Sequence, residues 1–286
     1  MSGPGLRGRV DRLGRRWPWL GWVLEVQGRA TELRGSATAA SITLNAFLSL
    51  FPLLVLAIAV LGFVSHESTD LADRIVDQLG ITGEAATVVT DAVEAAERSR
   101  TTATVVGLLG LLWTGLRLAR SLALAYDTAW RVPSRAVRAR LVGIAWLAGS
   151  GLVLAATFTA TGAVQWLPPV FAPLGIAVGL ATSVGLWLWT SWVLPNRRVP
   201  VRALVPAALV GAVGFEVLKV VGTIAVPRLV ANSSALYGSI GVVFAILVWL
   251  LFFGRLVVYV TVVEVLGWER DHGTETAEVE LPALPG

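Results

Sequence analysis

The sequence contains no cysteine and only two histidines, His66 and His272, among its 286 residues. Without cysteine there is no disulfide framework and no thiolate metal site, and two distant histidines cannot form a histidine-rich metal centre. We therefore expect no bound metal and no cofactor. Charge is also scarce: 15% of the residues are charged, against about 25% in average soluble proteins, while 55% are hydrophobic. This balance predicts a membrane protein that crosses the bilayer several times.

Six long apolar runs, each near the ~20 residues that a bilayer-spanning helix needs, occupy most of the chain. A segment in hydrocarbon must satisfy its own backbone hydrogen bonds, so each run is expected to be helical. The predicted fold is therefore all-α, with six transmembrane helices. We place them at about 39–63, 103–125, 141–166, 171–194, 201–226 and 238–266.

Three other segments complete the predicted organisation around the membrane domain, 39–266. Residues 1–38 carry seven arginines and three tryptophans, typical of a helix lying in the membrane interface, although a partly ordered arm is the alternative. The segment 64–101 has eight acidic residues and apolar residues at helical spacing. It predicts two extracytoplasmic amphipathic helices, either a lid over the bundle or a cap over helix ends. Residues 267–286 have the composition of an acidic, disordered tail.

The basic residues are distributed unevenly across the predicted membrane. Fifteen of the 23 lysines and arginines fall on one side, four fall on the other, and the remaining four lie inside apolar runs. The positive-inside rule places the richer side, and with it both termini, in the cytoplasm. Because topology explains the arginines, the net charge of +4 does not indicate a nucleic-acid partner.

Two opposite charges, Glu216 and Lys219, interrupt the fifth apolar run. They are three residues apart and so are neighbours on one helix face. In hydrocarbon an unpaired charge costs at least about 2.5–3.5 kcal/mol, and Glu216 falls near the predicted middle of the bilayer. We interpret the two as a charge pair that lines a polar cavity inside the bundle and contacts substrate or protons; a structural pair that fixes helix packing is the alternative.

A second set of charges lies toward the predicted cytoplasmic side. Arg117 and Arg255 are candidates for binding the anionic headgroups of lipids, since basic pockets between helices bind such groups; simple snorkelling to the membrane surface is the alternative for both. Arg120 is a secondary candidate, because simple snorkelling at a helix end accounts for it better. Glu264, close to the cytoplasmic end of the last run, is a further secondary candidate and could neutralise a neighbouring arginine.

Three stretches carry a resemblance to a known family: LSLFPLLVLAIAVLGF (Leu48–Phe63), LPNRRVPVRALVPAALVGAVGFEVLKVV (Leu194–Val221) and LYGSIGVVFAILVWLLFFGRLVVYVTVVEVL (Leu236–Leu266). In this order they resemble the first membrane helix, the fifth helix with its preceding basic loop, and the last helix of the YihY/virulence factor BrkB family. The resemblance covers roughly residues 30–266 and includes Glu216 and Lys219. Leu44-Asn45-Ala46 stands where the resemblance leads us to expect aromatic residues, and Asn45 is a secondary candidate there.

The resemblance implies a six-helix protein of the bacterial cytoplasmic membrane. Members of the family have been linked to serum resistance and to export of lipid or lipopolysaccharide, and the family was formerly labelled ribonuclease BN. We do not expect an enzyme, since the sequence offers neither a metal cluster nor paired general acids and bases. The expected function is transport or translocation of an anionic, lipid-like substrate in envelope biogenesis. The alternative is a membrane scaffold that recruits envelope-assembly partners. Membrane lipids and a second copy of the chain are the expected partners.

Overall fold

The computed structural model describes residues 18–64, 87, 90–91, 100–133, 136–164, 172–197, 199–237 and 239–273, and these ranges contain seven helices of 15 residues or more. In these ranges the chain is helical apart from short connections, as expected for apolar segments that must satisfy their own backbone. In chain order the helices are α1 (Pro18–Glu32), α2 (Gly35–Val64), α3 (Arg100–Ala129), α4 (Ala136–Val164), α5 (Ala172–Val193), α6 (Val201–Tyr237) and α7 (Ser239–His272).

Helices α2 to α7 form a ring in chain order. Each helix packs against the next, and α7 closes the ring by packing against α2. Helix α7 also contacts α1 and α3, so it has more helix neighbours than any other element described. We call the end of the ring that carries α1 and the last turns of α3, α5 and α7 the basic end.

The all-α membrane fold is confirmed. Among the described residues, five helices contain stretches long and apolar enough to cross a membrane: Gly35–Leu56, Thr104–Ala129, Ala139–Thr157, Val201–Ala225 and Gly241–His272. Six such helices were predicted. The fourth of the predicted set corresponds to α5, whose apolar stretch, Ala177–Val193, is shorter than the others.

Several predicted features lie wholly or largely outside the described residues. These are most of the 64–101 segment with its two predicted amphipathic helices, residues 1–17 of the predicted arm, and residues 274–286 of the predicted tail. The described part of the arm is helical over Pro18–Glu32. Helix α7 continues to His272, six residues past the end of the last predicted run.

Buried side chains concentrate toward the basic end. Residues such as Ile42, Tyr126, Trp130 and Leu204 are completely buried there, together with most of 257–266. Large apolar side chains elsewhere on the ring are exposed, for example Leu109, Leu152 and Val220. A surface of this kind is stable only against lipid, since a soluble protein rarely exposes a continuous apolar patch of such extent.

A sharp turn joins α1 to α2 and lays α1 against α7. Arg34 adopts a left-handed conformation with φ 51°, which reverses the chain within two residues. Polar contacts then hold α1 in place: Arg29 Nη2 lies 2.8 Å from Glu269 Oε1, and the Tyr259 hydroxyl donates to Gln27 Oε1 at 2.7 Å. These contacts fix the elbow between α1 and α2 beside the last four turns of α7.

Candidate functional site

Glu216 and Lys219 form an ion pair on α6. Lys219 Nζ lies 2.7 Å from Glu216 Oε1, and the Ser183 hydroxyl of α5 donates to the same carboxylate oxygen at 2.7 Å. Lys219 Nζ also lies 5.4 Å from the centroid of the Phe215 ring, within range of a cation–π contact. The i, i+3 pairing that the sequence predicts is present, and Ser183 adds a hydrogen bond between neighbouring helices.

The charge pair is not sealed inside the ring. The Glu216 and Lys219 side chains are 35% and 44% exposed. Glu216 lies nine residues from the end of its apolar stretch at Ala225, which is roughly 14 Å along the helix. An accessible ion pair at such depth is unusual, because hydrocarbon cannot solvate it. Because both side chains are partly exposed, a polar group that approaches between α5 and α6 can contact the ion pair.

The two candidate arginines of α3, Arg117 and Arg120, both lie at the surface of the ring. Arg117 is exposed, and its guanidinium stacks 5.2 Å from the ring centroid of Trp113, one turn earlier on the same helix. Arg120 is also exposed. Neither lines the cavities described below. Arg117, predicted to share the role of Arg255, therefore lines neither of the two cavities that Arg255 lines.

Arg255, on α7, is exposed and lies where two cavities meet. One is a groove of about 420 Å³ between α6 and α7, and the other is a pocket of about 190 Å³ beside the elbow between α1 and α2. No ion pair joins Arg255 to any carboxylate in the part of the chain that the structure describes. Tyr259 lines both cavities as well.

The charge pair and the groove occupy different sides of α6. Glu216 is bonded to Ser183 of α5, whereas the groove is lined on α6 by Gly214, Val217, Leu218, Val221 and Ala225, which face α7. The candidate residues thus form two groups, one on each flank of the same helix. Asn45 belongs to neither, because its amide donates to the Ser41 carbonyl one turn earlier in α2 at 2.9 Å.

Glu264 occupies a buried cluster at the basic end. Its side chain is 2% exposed, and its Oε1 accepts a hydrogen bond from the Trp130 indole at 3.1 Å. Its Oε2 has no hydrogen-bond partner among the described residues. No arginine lies within ion-pair distance of it in the described ranges, so the predicted neutralisation of an arginine is not what this geometry shows.

The rest of this cluster was not predicted from the sequence. The Tyr126 and Ser191 hydroxyls are 3.1 Å apart, and Asp127 Oδ1 accepts the Asn196 backbone N–H at 2.9 Å. The Arg197 guanidinium lies 4.8 Å from the Trp130 ring and 5.4 Å from the Trp268 ring. Arg197 lies in the connection between α5 and α6, where burial of its guanidinium lowers its pKa from the ordinary value. The sequence signal that could have indicated this cluster is AYDTAW (125–130), where polar and aromatic residues follow one another at the end of an apolar run.

The described residues include no group of three or more histidine, aspartate or glutamate side chains that could hold a metal ion. The polar groups at the surface of the ring include the charge pair, Arg255 with the hydrogen-bond donors around it, and the exposed arginines of α3. Such groups can bind and orient an anionic or amphiphilic molecule.

Comparison with known proteins places these features in a family. The profile of the family described as Virulence factor BrkB matches residues 26–280. The chain is 28% identical over 278 residues to Inner membrane protein YhjD of Escherichia coli (strain K12), covering 86% of this chain and 80% of that protein. It is 29% identical over 275 residues to a protein of Dickeya dadantii (strain 3937), covering 86% of this chain and 82% of that protein.

A more distant relative is a UPF0761 membrane protein of Janthinobacterium sp. (strain Marseille). It is 25% identical over 234 residues, which cover 77% of this chain and 53% of that protein. No solved structure matches the chain significantly.

Proposed function

Since this chain belongs to the Virulence factor BrkB family, we propose that it translocates an anionic, lipid-like amphiphile in the bacterial cytoplasmic membrane as part of envelope biogenesis. The observation that carries the proposal is the Glu216–Lys219 pair, which is held deep in an apolar helix yet remains partly exposed. Ionisable groups within the membrane mark substrate or ion pathways more often than they serve packing alone.

The charge pair suits the passage of a polar headgroup. Oε1 of Glu216 already accepts from both Lys219 and Ser183, so an arriving phosphate can take over the lysine while the serine keeps the carboxylate satisfied. Phosphate and ammonium form a charge-assisted contact of the same kind as the one exchanged. The headgroup would thus cross the apolar layer without either charge losing all of its partners.

The proposed location is the bacterial cytoplasmic membrane, with both termini in the cytoplasm. The relative from Escherichia coli is called an inner membrane protein, and the arginine distribution favours a cytoplasmic location for both termini. The sequence contains no GxxxxGK[ST] phosphate-binding loop. We therefore assign the energy for directional movement to a gradient or to a partner protein, and the proposal includes no chemical step.

Translocation can be measured with the purified full chain in liposomes that carry a fluorescent phosphatidylglycerol. The wild type should move the probe between leaflets well above the rate in protein-free vesicles, and the double variant Glu216→Gln, Lys219→Met should lose most of that rate. Thr223→Val, an exposed position one turn further along α6, is the matched control and should retain it.

Two results count against the proposal. Movement in wild-type vesicles that equals the protein-free rate would favour the scaffold alternative, in which the family's envelope role requires no lipid movement. Full activity in the double variant, with normal reconstitution, would remove the charge pair from the pathway.

A further inference from the structure

We infer that the groove between α6 and α7, together with the pocket at the α1–α2 elbow, binds one anionic glycerophospholipid, with its phosphate at Arg255 and an acyl chain between α6 and α7. The inference rests on the proposed function only in assigning the protein to lipid handling. It adds a binding site on the opposite flank of α6 from the charge pair.

The groove has the composition and length for an acyl chain. Apart from Arg255 and the hydroxyl of Tyr259, its lining is made of apolar side chains and glycine. On α7 it runs from Val248 to Tyr259, eleven residues or roughly 16 Å. One leaflet contributes about half of a ~30 Å hydrocarbon core, so the groove matches the depth of one leaflet.

The groove opens sideways rather than into the ring. Val217, Val221 and Phe252 line it and are all at least half exposed. Two close helix contacts mark its ends: a Cβ at Gly214 would lie 2.5 Å from Leu256 Cδ1, and one at Gly222 would lie 2.5 Å from Trp249 Nε1. Lipid can therefore enter laterally from the bilayer, and the two glycines keep the helices close enough to form a defined channel.

The pocket at the other side of Arg255 offers donors and no carboxylate. Gln27, Thr31, Ser36, Arg255 and Tyr259 supply its polar groups. Tyr259 donates to the Gln27 carbonyl oxygen, which leaves the Gln27 amide N–H groups directed elsewhere. Thr31 also donates its hydroxyl proton to the Gln27 backbone carbonyl. The Arg255 guanidinium, the Gln27 amide and the Ser36 hydroxyl remain as donors suited to phosphate oxygens.

Charge complementarity selects an anionic occupant. Three carboxylates near the basic end already have partners: Glu25 pairs with Arg270, while Glu269 and Glu32 pair with Arg29. Arg255 has no such partner among the described residues, although it lies inside the apolar stretch of α7. A cation at that position is costly unless an anion accompanies it, and a lipid phosphate at the membrane surface is the anion within reach.

The test is native mass spectrometry of the full chain released from nanodiscs that contain equal amounts of phosphatidylglycerol and phosphatidylcholine. The wild type should retain one phosphatidylglycerol per chain in preference to phosphatidylcholine. Arg255→Gln should weaken that retention by about fivefold, the effect of about one cation near a membrane surface. Arg140→Gln, an exposed arginine on α4, should leave it unchanged.

A second pair of variants tests the acyl-chain groove without altering charge. Val217→Trp fills the groove and should displace the lipid, whereas Val220→Trp lies on α6 outside the groove, is similarly exposed, and should not. Inorganic phosphate at the same concentration should not compete, because it cannot occupy the groove.

The inference is overturned if Arg255→Gln binds phosphatidylglycerol as tightly as the wild type, if the two valine variants behave alike, or if phosphatidylcholine is retained equally. Retention that survives in the Glu216→Gln, Lys219→Met variant while translocation is lost would support this site and the proposed function together. Retention without any translocation by the wild type would contradict the proposed function alone.

Discussion

At the scale of single residues, the function of the membrane domain depends on charges that apolar helices cannot easily hold. The spacing of Glu216 and Lys219 was sufficient to predict their pairing, because i, i+3 neighbours on a helix are always close. The bond from Ser183 was not predictable, since it depends on how α5 packs against α6. The position of Arg255 as a charged residue within an apolar run was predictable from the sequence, but the two cavities that it lines were not.

The first prediction concerns the charge pair. Glu216→Ala and Lys219→Ala should each destabilise the protein by about 1–3 kcal/mol, and the double variant should lose less than the sum, because each single change leaves the surviving charge without its partner. A double-mutant cycle by SDS titration in mixed micelles measures the coupling, which we expect to be at least about 1 kcal/mol.

The Glu25–Arg270 pair, with both side chains half exposed, is the control and should couple by under about 1 kcal/mol. Additive losses at Glu216 and Lys219 would show that they do not act as a pair.

The second prediction concerns the buried carboxyl group. Trp130→Phe removes the indole N–H that donates to Glu264 Oε1 and should cost about 1–3 kcal/mol, the usual cost of leaving a buried polar group unsatisfied. Glu264→Gln keeps an oxygen that accepts from Trp130 and should cost less. Trp192→Phe, at a half-exposed position, controls for loss of the indole and should have little effect in the same micelle titration. Equal stability of Trp130→Phe and wild type would remove Glu264 from the polar core.

At the scale of helices, hydropathy predicted which segments are helical but not where each one ends. Helix α6 runs to Tyr237 and α7 to His272, beyond the predicted ends at 226 and 266. Polar residues continue a helix after it leaves the apolar layer, and hydropathy cannot register that continuation. Helix α5, Ala172–Val193, instead agrees with its predicted run, 171–194, to within one residue at each end.

The third prediction concerns the contact between α2 and α7. A Cβ at Gly254 would lie 2.5 Å from the Ala39 carbonyl oxygen and 3.0 Å from Thr43 Oγ1, so the two helices meet with almost no side chain between them. Gly254→Ala should push them apart and cost about 1–3 kcal/mol. Gly267→Ala lies on the same helix with no atom within 4 Å of the added carbon; it should be neutral or slightly stabilising. If both variants unfold at the same detergent concentration, the close packing at Gly254 does not limit stability.

At the scale of the whole molecule, the ring of six helices could not be read from the sequence. Short connections imply that consecutive helices are neighbours, but nothing in the sequence indicated that α7 closes the ring against α2 while also supporting α1. That closure places the elbow between α1 and α2 beside Arg255, and it separates the groove from the charge pair. The sequence therefore predicted most of the candidate charges and few of their neighbours.

The fourth prediction concerns orientation in the membrane. The natural chain lacks cysteine, so single cysteines report without background. Ser134→Cys should resist a membrane-impermeant maleimide in intact spheroplasts, and Ser99→Cys should react, because arginine-rich segments stay in the cytoplasm. Labelling of both positions after lysis is the control for accessibility. Reaction of Ser134→Cys in intact spheroplasts would invert the orientation.

The account as a whole depends on an anionic lipid being bound at one place on the surface of the ring. A photoactivatable phosphatidylglycerol, crosslinked to the full chain in native membranes and mapped by peptide mass spectrometry, tests this most directly. We predict adducts concentrated on 214–225 of α6 and 248–256 of α7, which decrease in Arg255→Gln but not in Arg140→Gln. Adducts spread evenly over the exposed faces of the other helices, such as Leu109 and Leu152, and unchanged in Arg255→Gln, would contradict it.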